Sequence, residues 1–234
     1  MISPDHYLSH DDDHIYVVKP AGLPVFAPHG APDGDCLLAH LRAHGRVAHA
    51  AWPDGFDGGL AHRLDTATSG LMLVARSLDA LSRLRAEFAG GALSKRYVFE
   101  TSARVGFDTR TVETELAHHP HHADRMIARR KPTTDHRGKW YPAWSHFERV
   151  DDRRWAVEIR TGVMHQIRAH AALIGLPLDG DSKYGGAPGV FVALDDGRVA
   201  GFDARGDALP GWPVAIDAAD APAGAGPSLG DVDG

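Results

Sequence analysis

The chain of 234 residues has a single cysteine, Cys36, so an internal disulfide is excluded, as suits a reducing compartment. Cys36 precedes Leu37-Leu38 in an apolar stretch and reads as a core thiol. No apolar run reaches the length of a membrane span, so no membrane association is expected. The first residues, MISPDHYLSHDDDH, are acidic and polar, unlike a secretory signal, and a cytoplasmic location follows as the expectation. Internal repeats are absent. Metal-ligand spacing is also lacking: His118-His119-Pro120-His121-His122 is a short run broken by proline, which reads as a surface loop. Asp179-Gly180-Asp181 begins like a calcium loop but lacks the acidic ligand at its end.

What is present is a soluble globular composition, 43% hydrophobic and 24% charged, in a length that suits one domain. The net charge of −6 is unevenly spread. Residues 1–60 carry three Lys or Arg against eight Asp or Glu, and residues 171–234 carry three against ten. Between them, residues 61–170 carry 19 against 13, which is compatible with a basic face between acidic flanks. The stretch from Arg125 to Lys139 holds six Lys or Arg and one Asp, Asp135, with Asp124 just before it and Trp140 and Tyr141 following. It reads equally as a contact for phosphates and bases or as a solvated insertion.

Regular elements are legible at several places. Ile15–Val18 reads as a strand stopped by Lys19-Pro20-Ala21-Gly22, and residues 36–41 as a helix closed near Gly45. Residues 52–59 read as loop. The run Leu71-Met72-Leu73-Val74-Ala75 predicts a buried strand, and residues 79–89 place Leu81, Leu84 and Phe88 at helical spacing before Gly90-Gly91. Residues 97–101 and 155–159 alternate with period two, as strands do. Met164 to Ile174 predicts a helix stopped at Gly175. These elements make a sheet-rich α+β domain over residues 1–216. Residues 217–234, made of Ala, Gly, Pro and Asp with little to bury, predict a disordered tail.

Three segments carry chemistry. In Gly59-Leu60-Ala61-His62-Arg63-Leu64-Asp65-Thr66-Ala67-Thr68-Ser69-Gly70, an Arg two residues from an Asp gives a carboxylate a cationic neighbourhood and favours its ionised form. An ionised Asp65 can attack an electrophilic carbon or stabilise a cation developing at a sugar. An Arg–Asp pair standing alone is more often a structural salt bridge. Ser94-Lys95-Arg96-Tyr97 offers a strand tyrosine, for core packing or for stacking on a base. In Thr161-Gly162-Val163-Met164-His165-Gln166-Ile167-Arg168-Ala169-His170, His165 and Arg168 share one side of a helix, with Gln166 offset. That side can be a solvated face, or it can present Arg168 to a carboxylate.

In this order and at these separations the segments resemble the RluA-like family of RNA pseudouridine synthases. The resemblance spans roughly residues 13–186. It includes Lys19-Pro20-Ala21-Gly22-Leu23-Pro24-Val25 and Gly175-Leu176-Pro177-Leu178-Asp179-Gly180-Asp181-Ser182-Lys183-Tyr184-Gly185. It implies a synthase-like catalytic domain, α+β, with a mixed, largely antiparallel central sheet flanked by helices and loops. It implies Asp65 as catalytic carboxylate, Tyr97 packed on the base, Arg168 paired with Asp65, and Arg63 entering the RNA stack as the target uridine flips out. His62, His165, Gln166 and Lys95 are the further expected RNA contacts. The partner expected is ribosomal or transfer RNA, handled by a monomer with no cofactor, no metal and no obligate protein partner.

Three departures from the pattern stand out. Val163 replaces the family's arginine, and Phe191–Gly197 matches the family's next strand poorly. The small N-terminal RNA-binding domain of many relatives has no counterpart, which implies a catalytic domain that finds its RNA unaided. Two other function classes are compatible with parts of the chain. One is a non-catalytic RNA-binding or RNA-folding protein on the same scaffold. The other is a metal-dependent hydrolase using the histidine cluster.

Overall fold

A computed structural model describes residues 7–10, 13–27, 34–47, 51–90, 95–187 and 193–194. These form two compact units, the first running to Ala86 and the second beginning at Glu87. Strands β1 (Tyr7–His10), β2 (His14–Lys19) and β3 (Gly70–Ala75) make an antiparallel sheet in that order in the first unit. All six residues of β3 are buried, as the unbroken apolar run predicts for a strand covered on both faces. The β2–β3 register pairs His14 with Ala75 and ends at Lys19 opposite Gly70. Helix α1 (Leu37–Ala43) buries Leu37, Leu38 and Leu41. Its N-cap is Cys36, a buried free thiol whose sulfur accepts from the Ala39 N–H at 3.4 Å. Helix α2 (Leu78–Gly90) buries Ala80, Leu81 and Leu84 on one side.

The second unit is built on a six-stranded antiparallel sheet. Its strands are β4 (Lys95–Glu100), β5 (Thr109–His118), β6 (Met126–Ala128), β7 (Arg137–Arg149), β8 (Arg154–Ile159) and β9 (Ala193–Leu194), in the order β6-β5-β7-β8-β4-β9. Helix α3 (Gln166–Leu173) completes the described elements. Phe99, Phe147, Trp155 and Val157 fill the main core with Ala171, Leu176 and Leu178. Each large apolar side chain so buried contributes about 1.5–3 kcal/mol. A second cluster of Leu116, Met126, Ala128, Ala143 and Ala169 sits beside α3, with Val163 and Tyr184 packed against it.

The α+β class holds, and every pairing among the described strands is antiparallel, in two sheets rather than one central sheet. Strands β5 and β7, the longest among the described residues, have no counterpart in the sequence reading. Pro142 stands inside β7 opposite Glu115, where proline argues against a strand. It is tolerated because the β7–β8 pairing ends at Ser145 opposite Ile159, so no ladder runs beside Pro142 on that side. Of the poorly matching segment 191–197, Ala193 and Leu194 pair with Phe99 and Val98 on β4. The expected tail over 217–234 lies outside the described residues. No described helix is long and apolar enough to cross a membrane.

Candidate active site

Asp65 sits on a loop tied down at both ends. Before it, Leu60 bridges to Val74, the Ala61 N–H donates to the Leu73 carbonyl at 3.2 Å, and His62 Nε2 accepts from the Leu73 N–H at 3.2 Å. Residues 60–62 therefore continue the first sheet beside β3, and His62 is committed to holding them there. Gly59 has φ +76°, and a Cβ there would collide with the Ala75 carbonyl oxygen, so only glycine admits this approach. Leu64 is buried, while Asp65 beside it is partly exposed and Arg63 is exposed. After Asp65, its carbonyl accepts from the Thr68 N–H at 3.0 Å and closes a turn.

The loop is also held from the end of β2. The Thr66 carbonyl accepts from the Gly22 N–H at 2.7 Å and from the Lys19 ammonium at 3.3 Å. Lys19 is fully buried, and its Nζ also donates to the carbonyls of Leu23 at 2.7 Å and Pro20 at 2.9 Å. Burial pushes the Lys19 ammonium down to about 8, while the charge of Asp65 acts in the opposite direction. Arg63 was the expected cationic neighbour of Asp65. Lys19 is a cation that feels the charge of Asp65, and Arg63 forms no ion pair among the described residues.

The other expected residues belong to the second unit. Tyr97 pairs with Val157 on β8 and packs, partly buried, against the main core. Two residues earlier, the Lys95 ammonium lies 5.0 Å over the Phe88 ring and against Gly162, and burial lowers its pKa. Ser94 lies outside the described residues. Arg96 pairs with Glu148 at 2.9 Å.

The segment from Thr161 to Arg168 is locked by Gln166, which is 2% exposed. Its Oε1 accepts from the Thr161 hydroxyl at 2.8 Å and the Val163 N–H at 3.2 Å. Its Nε2 donates to the Trp144 carbonyl at 2.8 Å and the Ser145 hydroxyl at 3.1 Å. With all four sites bonded inside the protein, Gln166 shapes the loop. His165, the N-cap of α3, has φ +53° and is the one non-glycine residue with positive φ among the described residues.

That backbone turns His165 onto Tyr184, with Nδ1 3.0 Å from the hydroxyl. The same hydroxyl accepts from the Met126 N–H at 2.8 Å, and the His165 tautomer sets which of the two groups donates to the other. One turn along α3, the guanidinium of Arg168 lies 5.0 Å over the Tyr184 ring. It also grips Asp181 with two bonds, Nε to Oδ2 at 2.7 Å and Nη2 to Oδ1 at 2.8 Å. The Asp181 side chain is 1% exposed and that of Arg168 13%. So His165 and Arg168 do share a side of the helix, as their spacing predicts, and Tyr184 is what they meet.

Sequence reasoning placed Lys19, Asp181 and Tyr184 inside motifs but gave them no role. Their signal was a charged or hydroxyl-bearing residue within a Gly- and Pro-rich turn, where such groups find backbone and side-chain partners. Val163 packs on the second core cluster, and Met164 beside it is 40% exposed. Around the histidine run, the His119 ring lies 4.7 Å from that of His122 and 6.1 Å from that of His121. No group of three or more His, Cys, Asp or Glu arranged to hold a metal ion is found among the described residues.

Comparison with known proteins gives this arrangement a lineage. The ribosomal large subunit pseudouridine synthase D of Pseudomonas aeruginosa is 36% identical over 188 residues, covering 76% of this chain and 52% of the relative. The protein of the same description from Escherichia coli strain K12 is 35% identical over 182 residues, with the same shares covered. The chain thus spans about half the length of these curated relatives. Human RNA Pseudouridylate Synthase Domain Containing 1 has a similar fold, with TM-score 0.61 at 18% identity over 79% of this chain and 72% of that one. Human RNA Pseudouridylate Synthase Domain Containing 4 gives 0.55 at 22% identity, over 76% and 68%. The sequence profile described as RNA pseudouridylate synthase matches residues 13–173, and the chain belongs to that family.

Proposed function

We propose that this chain isomerises uridine to pseudouridine within RNA, with Asp65 as the catalytic carboxylate. The observation that carries the reading is the Asp65 loop itself. A partly exposed carboxylate is fixed by the sheet on one side and by Lys19 and Gly22 on the other, in a member of the RNA pseudouridylate synthase family. Asp65 acts in breaking the uridine N-glycosidic bond, after which the same base is reattached through carbon. The reaction is an isomerisation, so it needs no oxidant and no external group.

A base that turns over must leave the stack, and the exposed Arg63 is free to enter the gap. Tyr97 packs on the base, and Arg168 orients the carboxylate. Lys95, His62 and His165 act as supports around the RNA. Large-subunit ribosomal RNA is the first substrate to test, since the relatives from Pseudomonas aeruginosa and Escherichia coli are described as synthases for it. Transfer RNA is the second. The protein acts as a cytoplasmic monomer without cofactor.

Replacing Asp65 with Ala is expected to abolish pseudouridine formation while RNA affinity stays within about twofold. Mapping pseudouridine at single-nucleotide resolution in cells lacking the gene, then complemented with either form, tests activity and substrate together. Product formed at the normal rate by Asp65→Ala would overturn the assignment. Val163, which puts no charge where the family has arginine, gives some weight to a non-catalytic RNA-binding role, and an unchanged pseudouridine map would favour it.

A further inference from the structure

Residues 125–141 carry six Lys or Arg and one Asp, in a chain whose net charge is −6. They occupy one end of the β5–β6–β7 ladder, and that end is ordered. Arg129 extends the β6 pairing, its N–H donating to the Glu115 carbonyl at 2.8 Å. Its guanidinium pairs with the Glu115 carboxylate and lies 5.5 Å from the ring of Trp140, which His136 flanks at 4.3 Å. In the connection to β7, the N–H groups of Arg130 and Lys131 both donate to Thr134 Oγ1, at 3.2 and 3.0 Å. Thr134 returns its hydroxyl proton to the Lys131 carbonyl at 2.8 Å.

β7 then enters through a bulge. Arg137 stands opposite His118 and Tyr141 opposite Leu116, so Gly138, Lys139 and Trp140 together face Ala117 alone. Gly138 takes φ +76° there. A bulge of this kind turns side chains away from the ladder.

The outcome is four exposed cations, Arg130, Lys131, Arg137 and Lys139, on a braced turn. None pairs with a carboxylate among the described residues, although the chain carries 31 acidic residues in all. Glu115 is spent on Arg129, whose guanidinium lies 5.5 Å from the Trp140 ring. Four like charges held together repel one another, and a polyanion whose charges repeat along a chain relieves all four at once.

We propose that this end of the β5–β6–β7 ladder is a phosphate-contact surface for RNA, read by charge and not by base sequence. It shares no residue with the Asp65 loop or with the Arg168–Asp181 pair. The inference rests on the RNA reading above, and it supplies the sequence-independent contacts that fix the register of a substrate.

The test is binding of a fluorescein-labelled RNA stem–loop to the full chain across a salt series, for the wild type and for Arg130→Gln/Lys131→Gln/Arg137→Gln/Lys139→Gln. Losing four phosphate contacts should lower the slope of log K against log salt by about 3. The wild type should then lose roughly 60-fold more affinity than the variant between ~50 and ~200 mM salt. The charge-keeping set Arg130→Lys/Lys131→Arg/Arg137→Lys/Lys139→Arg should restore the slope, and Arg42→Gln on α1 should leave it unchanged. Thermal unfolding of each variant checks that it folds. A slope unchanged in a folded neutral variant overturns the proposal, as does a loss of binding to anionic lipid vesicles with RNA binding intact. A lowered slope in a protein that forms no pseudouridine supports this surface while overturning the catalytic reading, so the two failures separate.

Discussion

Arg168 and Asp181 form a nearly dry ion pair, and its loss should be felt in both stability and catalysis. The two bonds of 2.7 and 2.8 Å join a guanidinium 13% exposed to a carboxylate 1% exposed. Breaking one partner of a buried pair leaves the other charge without compensation, at a cost of about 3–5 kcal/mol. Asp181→Asn keeps the shape but sets amide hydrogens against guanidinium hydrogens. It is expected at the lower end, about 3 kcal/mol. Arg168→Met strands the carboxylate and belongs near the upper end. The double variant Arg168→Met/Asp181→Leu removes both charges, so its cost should fall short of the sum by at least about 2 kcal/mol.

Urea unfolding at neutral pH, followed by tryptophan fluorescence, measures the cycle. Pseudouridine formation under single-turnover conditions measures the functional side. If Asp181 positions Arg168 for the reaction, Asp181→Asn should slow the step at least tenfold, about 1.4 kcal/mol in the barrier, with RNA affinity within about twofold. Single substitutions that each cost under about 1 kcal/mol and add without coupling would refute the energetic reasoning. A normal rate in Asp181→Asn would refute the positioning role.

The remaining predictions concern other buried polar groups. Lys19 has a folded value of about 8 against 10.5, so between those pH values the unfolded chain holds the extra proton and stability should rise with pH. The rise is about 3 kcal/mol at most, and urea unfolding of Lys19→Met should lack it; an identical pH slope in that variant would rule the lysine out as its source. Burial holds the fully buried His170 down to about 4, so stability should fall as pH drops from about 6.5 toward 4. His170→Asn should flatten that loss of about 3 kcal/mol, and an acid limb unchanged by the substitution would assign it to other groups. Gln166→Leu strands the Val163 N–H and the Trp144 carbonyl and should cost about 2–4 kcal/mol, with little change in RNA affinity. Unaltered stability with affinity lowered tenfold would return Gln166 to the RNA.

Much of the first unit was legible because its signals are local. A run such as Leu71–Ala75 has no place except inside, and Cys36-Leu37-Leu38 opens a helix with its apolar side set. The Asp65 loop was legible as a motif, yet its charge partner was not. Lys19 lies 46 positions earlier, and only the β2–β3 register brings the two together. In the second unit β5 stayed hidden because Val112, Leu116 and Ala117 are its only buried residues. β7 hid behind Gly138 and Pro142, each of which reads as a stop when no partner strand is in view. Asp181 was read against a calcium loop because spacing shows candidate ligands but not a guanidinium arriving from a helix 13 residues away. The bonding of Gln166 is a tertiary fact of the same kind.

The Thr66 carbonyl, shared by Gly22 and Lys19, also bears on how this protein can be recombined with its relatives. One oxygen serves as the knot between two stretches that a breeder of chimaeras would treat as independent cassettes. A crossover between residues 23 and 59 would join a turn from one parent to a loop from another. The fit of that junction would be decided by whether both parents present the same carbonyl to the same ammonium. The segment from Lys19 to Gly22 and the segment from Gly59 to Gly70 should therefore travel as one heritable block, although some forty residues lie between them.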